Sequence, residues 1–139
     1  MGLALYAGVN YAARRDLPKR VDELDQHDAV LFYPGGKLML TLTGPAGVVK
    51  IALKSRVSGN DLFFAREAII NGLGITALPW FLANPELAAG RIVRVLPDYQ
   101  LLGGTAYLVH APAKPVPAKV AAFAKYLLEH APRLIVQPF

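Results

Sequence analysis

The sequence predicts an α/β domain in which at least some strands pair in parallel. Three observations carry that expectation. Apolar residues make up 54% of the 139 and charged residues 18%, the balance of a chain that buries a core. Glycine and proline cut the apolar runs into short pieces, at Pro34-Gly35-Gly36, Gly44-Pro45, Gly72, Gly74, Pro79 and Gly90. From residue 57 onward strand-like and helix-like pieces alternate, as in a sheet with crossover helices. The length suits one domain that needs no disulfide or metal to hold it.

Leu3 to Tyr6 is a short apolar strand, and Tyr11 to Arg15 is a brief helical turn closed by Pro18. Val21-Asp22-Glu23-Leu24 is a second short helix. Ala29-Val30-Leu31-Phe32 reads as a buried strand stopped by Pro34. Leu38 to Thr43 and Val48 to Leu53 flank the loop Gly44-Pro45-Ala46-Gly47 and form a hairpin. In its second strand Val49, Ile51 and Leu53 face one way, and Lys50, Ala52 and Lys54 the other.

Ser58 with Asp61 three residues on matches a capping box. A helix is therefore expected to reach about Asn71, with Leu62, Ala65, Ile69 and Leu73 as its buried stripe. Gly72 ends it in a left-handed conformation. Gly74 to Leu78 is a buried strand halted by Pro79. Pro85 to Ala89 is a short helix ending at Gly90, and Ile92 to Val95 another strand. Tyr107 to His110 reads as the last strand. Pro117 opens a final helix whose stripe is Val120, Phe123, Ala124, Leu127 and Leu128, and Pro132 ends it.

Several function classes fall away. Cysteine is absent, which removes disulfides, thiolate zinc sites and a cysteine nucleophile and fits a reducing compartment. The start, Met1 to Tyr6, lacks the basic flank of a signal peptide. No run approaches the roughly 20 apolar residues of a membrane helix. A soluble, cytoplasmic chain is expected. The net charge of +5 raises nucleic acid as a partner. The basic residues are scattered between Arg14 and Arg133, however, and only Lys50, Lys54 and Arg56 share a face. Direct DNA binding by this chain is not expected.

The candidate chemistry is sparse. His27, His110 and His130 lack metal-ligand spacing. His27, near Asp25 and Asp28, is expected in a solvated acidic turn, and His130 at a helix end, where a cation suits the dipole. Asp22, Glu23, Asp25 and Asp28 read as a solvated face, because paired-carboxylate catalysis needs two acids across a cleft in different environments. Gly72 and Gly74 follow a helix and open a strand, the reverse of a dinucleotide-binding loop. Ser58-Gly59-Asn60 has ligand-binding logic. At a strand-to-helix junction, free N–H groups and the helix dipole favour an anion, and Gly59 allows close approach. The same residues could serve only as a cap. Tyr6, Tyr33, Trp80 and Tyr107 could line an apolar pocket or pack in a core. No acid, base and nucleophile converge, so no enzyme and no cofactor are expected.

Six landmarks in order resemble one family, the LysR-type transcriptional regulators, in their C-terminal effector-binding domain. They are Leu3 to Arg14, Val21 to Val30, Leu42-Thr43-Gly44-Pro45-Ala46-Gly47, Ala68 to Pro79, Leu87 to Asp98, and the helix from Val116 to Leu128. Together they cover residues 3 to about 130. The resemblance implies a periplasmic-binding-protein-like (type 2) α/β fold with a mixed sheet, the effector lying between two subdomains joined by crossing strands. Residues 1–95 correspond to the second subdomain, with hinge strands near 3–6 and 92–95. Residues 96–132 correspond to the returning strand and helix of the first subdomain, and 133–139 to a tail without readable pattern.

No segment resembles the winged helix-turn-helix or the opening part of the first subdomain, so DNA contact would fall to an absent N-terminal domain. The resemblance implies ligand contacts at Ser58, Gly59 and Asn60, and at Thr105 and Tyr107 on the strand bordering the cleft. The implied function is sensing of a small-molecule effector, with an anionic one a candidate. The unmatched apolar stripe of the last helix predicts a homo-oligomer, most simply a dimer. The alternatives are a stand-alone solute-binding protein and, last, a small α/β enzyme.

Overall fold

Alternation along the first strand decides the layering of the molecule. In β1 (Leu3–Gly8), Leu5 and Ala7 enter one hydrophobic core, while Ala4 and Tyr6 enter a second on the opposite face. The computed structural model describes residues 2–32, 37–45, 47–101, 107–112 and 114–135. The other strands are β2 (Ala29–Phe32), β3 (Lys37–Gly44), β4 (Gly47–Gly59), β5 (Ile75–Pro79), β6 (Ile92–Val95) and β7 (Gln100–Leu101). They form one mixed sheet in the order β5-β2-β4-β3-β7-β1-β6. Because β5 also pairs with β1, from Leu3↔Pro79 to Ala7↔Ile75, the sheet curls until its two parts meet.

β4 joins the two halves of this sheet. Its first part, through Lys54, pairs antiparallel with β3. Its last part, Ser55 to Gly59, pairs in parallel with β2 after a bulge between Ala29 and Val30. The expected alternation holds: Leu53 is buried and Val49 and Ile51 half-buried, while Lys50, Ala52 and Lys54 are exposed. The hairpin closes the first core by setting Leu40, Leu42 and Leu53 against Leu5, Leu31 and Ile75.

Among the described residues four helices accompany the strands: α1 (Val9–Ala12), α2 (Leu62–Ile70), α3 (Trp80–Ala88) and α4 (Ala118–Ile135), with a 3-10 segment at Val21–Gln26. α2 and α3 seal the second core, where Ala65, Ala68, Ile69 and Ala83 meet Val30, Leu78 and Ile92. Buried Glu86 on α3 ties these parts together, because its carboxylate accepts from Arg91 and lies 3.7 Å from Arg66 of α2. The hydrogen bond from Arg91 holds the Glu86 carboxyl below the usual carboxylate range. Gly72, at φ +77°, ends α2 in the left-handed conformation.

Five local expectations change. Ser58 and Gly59 belong to β4, and α2 begins at Leu62 with Asp61 as its cap, the Asp61 carboxylate accepting the Phe63 N–H at 2.8 Å. The parallel pairing Leu31↔Ser58 and Phe32↔Gly59 holds these two residues extended and overrides the capping-box pattern. α3 starts at Trp80 instead of Pro85, with Pro79 in the cap position and Pro85 inside the helix. Gln100 and Leu101 form an unexpected short strand between β1 and β3. Tyr107 to His110 form no strand and are exposed; an apolar run becomes a strand only where a neighbouring edge accepts its backbone. α4 continues past Pro132 to Ile135, and Pro117 precedes it, its carbonyl accepting from Val120 and Ala121. The described side chains of α4 are exposed or half-buried, with Phe123 at 60% and Leu128 at 68%.

Candidate functional site

Three strands end side by side at one rim of the sheet. The last residues of β4 lie parallel to β2, and β2 lies parallel to β5, so Gly59, Phe32 and Pro79 mark the same end. α2 starts from that rim. In open α/β sheets the crevice outside the carboxyl ends of parallel strands is the usual place for a ligand. A cavity of about 320 Å³ opens here, lined by Leu31, Phe32, Leu40, Leu53, Leu62 and Thr76 among others. Among the described residues no charged side chain lines it. Its polar lining residues among those described are Thr41 and Thr76, and Thr76 Oγ1 donates to the Val30 carbonyl at 2.6 Å. That bond uses the Thr76 proton and leaves its oxygen as an acceptor.

The sequence-predicted residues fall around this cavity unevenly. Ser58 and Asn60 are exposed at the end of β4 and just beyond it. Gly59 is half-buried, and the Phe64 ring sits where a Cβ would go, at 2.7 Å. Thr105 lies outside the described residues, and Tyr107 is 81% exposed. The four aromatic candidates share no wall. Tyr6 is buried in the second core, its hydroxyl pKa raised by burial; Trp80 stands edge-on to Phe81; Tyr33 lies outside the described residues. Sequence reasoning missed Phe32, Leu62 and Thr76, although the ends of the two apolar runs at residues 29–32 and 75–79 were the available signal.

A second, polar cavity of about 500 Å³ lies at the other end of α2, lined by Arg14, Arg15, Asp28, Arg56 and Gly72 among others. Its arginines are structural. Arg14 donates to the Gly72 carbonyl at 2.8 Å, Arg15 to the Gln26 carbonyl, and Arg56 pairs with Asp28 at 3.2 Å. Beside it, His27 is half-buried rather than solvated. The Tyr11 hydroxyl accepts the Asp28 N–H at 3.2 Å and faces His27 Nδ1 at 3.0 Å. The direction of the Tyr11–His27 hydrogen bond is set by the tautomer of the ring. Burial first, and the Arg15 charge second, lower its pKa.

The sign of the pH effect follows. Below about 6.5 the unfolded chain binds the histidine proton more readily than the fold. The His27 contribution is thus complete above that value and is lost as pH falls toward the lower folded pKa. Urea midpoints should drop between pH 7.5 and 5, and His27→Gln should flatten that part of the dependence.

Among the described residues no cluster of acids and histidines could hold a metal ion, and no helix is long and apolar enough to cross a membrane. Residues 2–132 match the LysR substrate binding domain family. The chain belongs to this family. It is 34% identical over 89 residues to the HTH-type transcriptional regulator PtxR of Pseudomonas aeruginosa, covering 64% of this chain and 28% of that protein. The probable HTH-type transcriptional regulator LtrA of Klebsiella pneumoniae is 37% identical over 82 residues, 57% of this chain and 26% of that one. The LysR domain described here thus spans about a quarter of the length of these two relatives.

Among solved structures, the regulatory domain of AphB from Vibrio vulnificus superposes with a TM-score of 0.69 at 26% identity, over 93% of this chain and 64% of that one. The CrgA regulatory domain from Neisseria meningitidis, at 19% identity and a TM-score of 0.71 over 92% of this chain and 63% of that one, shares the fold. The periplasmic-binding-protein-like (type 2) class and the role of an effector-binding regulatory domain are the family's. It is a family of transcription regulators, not of enzymes.

Proposed function

We propose that this LysR domain senses a small molecule in the cavity at the ends of β2, β4 and β5, and that occupancy biases the posture of a longer regulator. The single observation that carries this is the coincidence of an apolar cavity with the carboxyl ends of three parallel strands and the start of α2. Phe32, Leu62 and Thr76 form its wall, with Ser58, Gly59 and Asn60 as the rim. Thr105 and Tyr107 are proposed contacts from the opposite side. Residues 1–95 would act as one subdomain and 96–132 as the returning part of the other. β1 and β6, antiparallel neighbours from Leu5↔Val95 to Gly8↔Ile92, would form the hinge.

The effector would act through preference between two arrangements. DNA contact is assigned to a part of the regulator outside this domain, working in the cytoplasm, and α4 is proposed to find its apolar partner in a dimer. The test is a fragment screen followed by amide NMR shifts of the isotopically labelled chain. Binders should move the amides of Phe32, Ser58, Gly59, Asn60, Leu62 and Thr76. Shifts gathered instead around Arg14, Arg15 and Arg56 would overturn the assignment.

A further inference from the structure

We infer that the polar cavity at the far end of α2 is a second binding site, suited to the dianionic phosphate group of a small molecule. It is separate from the cavity at the strand ends, so the two assignments stand or fall independently. Its lining brings together Arg14 and Arg15, just beyond α1, and Arg56 of β4, and sets them against the acid Asp28. Two of the guanidinium groups are fixed at the cavity wall. Arg14 Nη2 lies on the Gly72 carbonyl and Arg56 Nη1 on the Asp28 carboxylate, and Gly72 and Asp28 both line the cavity. Arg15 is anchored beside them on the Gln26 carbonyl. All three arginines are exposed. Each guanidinium carries five N–H donors in a planar fork. One carbonyl or one carboxylate oxygen takes only part of that set, and the rest is left to water or to an oxyanion.

Charge selects the class. Asp28 offsets one of the three cations. A carboxylate ligand would offset a second and leave the third, whereas a phosphate monoester, at about −1.5 to −2 near pH 7, answers both. The carbonyl end of a helix ordinarily repels an anion, but here those carbonyls have donors. Glu67, Ala68 and Ile69 accept from the amides of Asn71, Leu73 and Gly72, and Ile70 accepts from the Asn10 side chain at 3.5 Å. Arg14 then covers the Gly72 carbonyl just beyond the helix. The volume, about 500 Å³, lies within the roughly 300–1,000 Å³ of small-molecule sites and leaves room for an organic part beyond the phosphate. The concave shape and the double charge favour such a molecule over a nucleic-acid backbone, whose phosphodiesters carry one charge each.

The experiment titrates inorganic phosphate and glycerol 3-phosphate into the labelled chain at pH 7.5 in low salt, because exposed charges are screened at high salt. Both probes should shift the amides of Arg14, Arg15, Asn71 and Gly72 to saturation, and sodium chloride of equal ionic strength should not. Arg56→Gln should weaken phosphate binding at least about fivefold, the factor that one unit charge at about 4 Å supplies in water. Asp28→Asn removes the opposing carboxylate and should tighten binding by a similar factor. An exposed ion pair adds little to stability, so both variants keep the fold, which their amide spectra check. Opposite signs in the two variants are what a site predicts and a merely structural pair does not. Equal weakening in both would overturn the site, as would shifts that sodium chloride reproduces. A short DNA duplex that engages these amides more tightly than glycerol 3-phosphate would overturn the small-molecule class.

Discussion

Gly8→Ala should unfold the domain or cost it on the order of 3–4 kcal/mol. Gly8 stands at the junction of β1 and α1 with φ −69° and ψ 147°, a conformation open to every residue. Its requirement is spatial. A Cβ there would fall inside the contact sphere of the Ile69 carbonyl oxygen, with the Ile70 carbonyl close behind. Neither can yield cheaply, because both are backbone of the last turn of α2. That turn is tied down by the left-handed Gly72, by Arg14 on the Gly72 carbonyl and by Asn10 on the Ile70 carbonyl. Gly47→Ala is the control. Gly47 has φ +97° but open space around it, so its cost should be the backbone strain alone, about 1–2 kcal/mol. Urea unfolding of the two variants separates crowding from strain.

Leu53→Ala should cost about 2–4 kcal/mol. Leu53 is buried in the first core and forms part of the cavity wall. The deleted atoms leave a void continuous with the existing cavity, so the gap cannot be filled by collapse of the hairpin without moving Leu40 and Leu42. Val48, on the same strand, is 65% exposed; Val48→Ala should stay within about 0.5 kcal/mol. Equal losses for the two, measured as urea midpoints with unchanged slopes, would show that the hairpin does not close the core.

Periodic and punctuated parts of the fold were legible in the residues. Ala29 to Phe32 and Ile92 to Val95 form strands at the expected bounds, and Gly72 ends α2 as its type suggests. The alternation of Val49, Ile51 and Leu53 against Lys50 and Lys54 predicted a half-buried hairpin, because each strand residue reports its own face. What failed were signals whose outcome depends on a distant partner. Ser58 and Asp61 match a cap locally, but β2 pairs with Ser58 and moves the helix start onward. Tyr107 to His110 has the composition of a strand and forms none. Gly8 gives no sign of its role, since the group that makes it necessary is a carbonyl more than sixty residues away. The cavity was hidden for the same reason: Phe32, Leu53 and Thr76 meet only once the sheet has curled.

The pairing of β1 also sets the order of assembly. This strand comes first in chain order among the strands of the sheet, yet its partners are Ile75–Pro79, Ile92–Val95 and Leu101. Its side chains fill both cores. Neither core can therefore close until nearly a hundred residues beyond β1 have been made, and the contacts that close them span most of the domain. Such long loops slow folding. During that interval the hairpin and the stretch through α2 must wait with their apolar faces uncovered. The first strand of the sheet is the last to be seated, and its amides should be among the slowest in the domain to exchange with solvent.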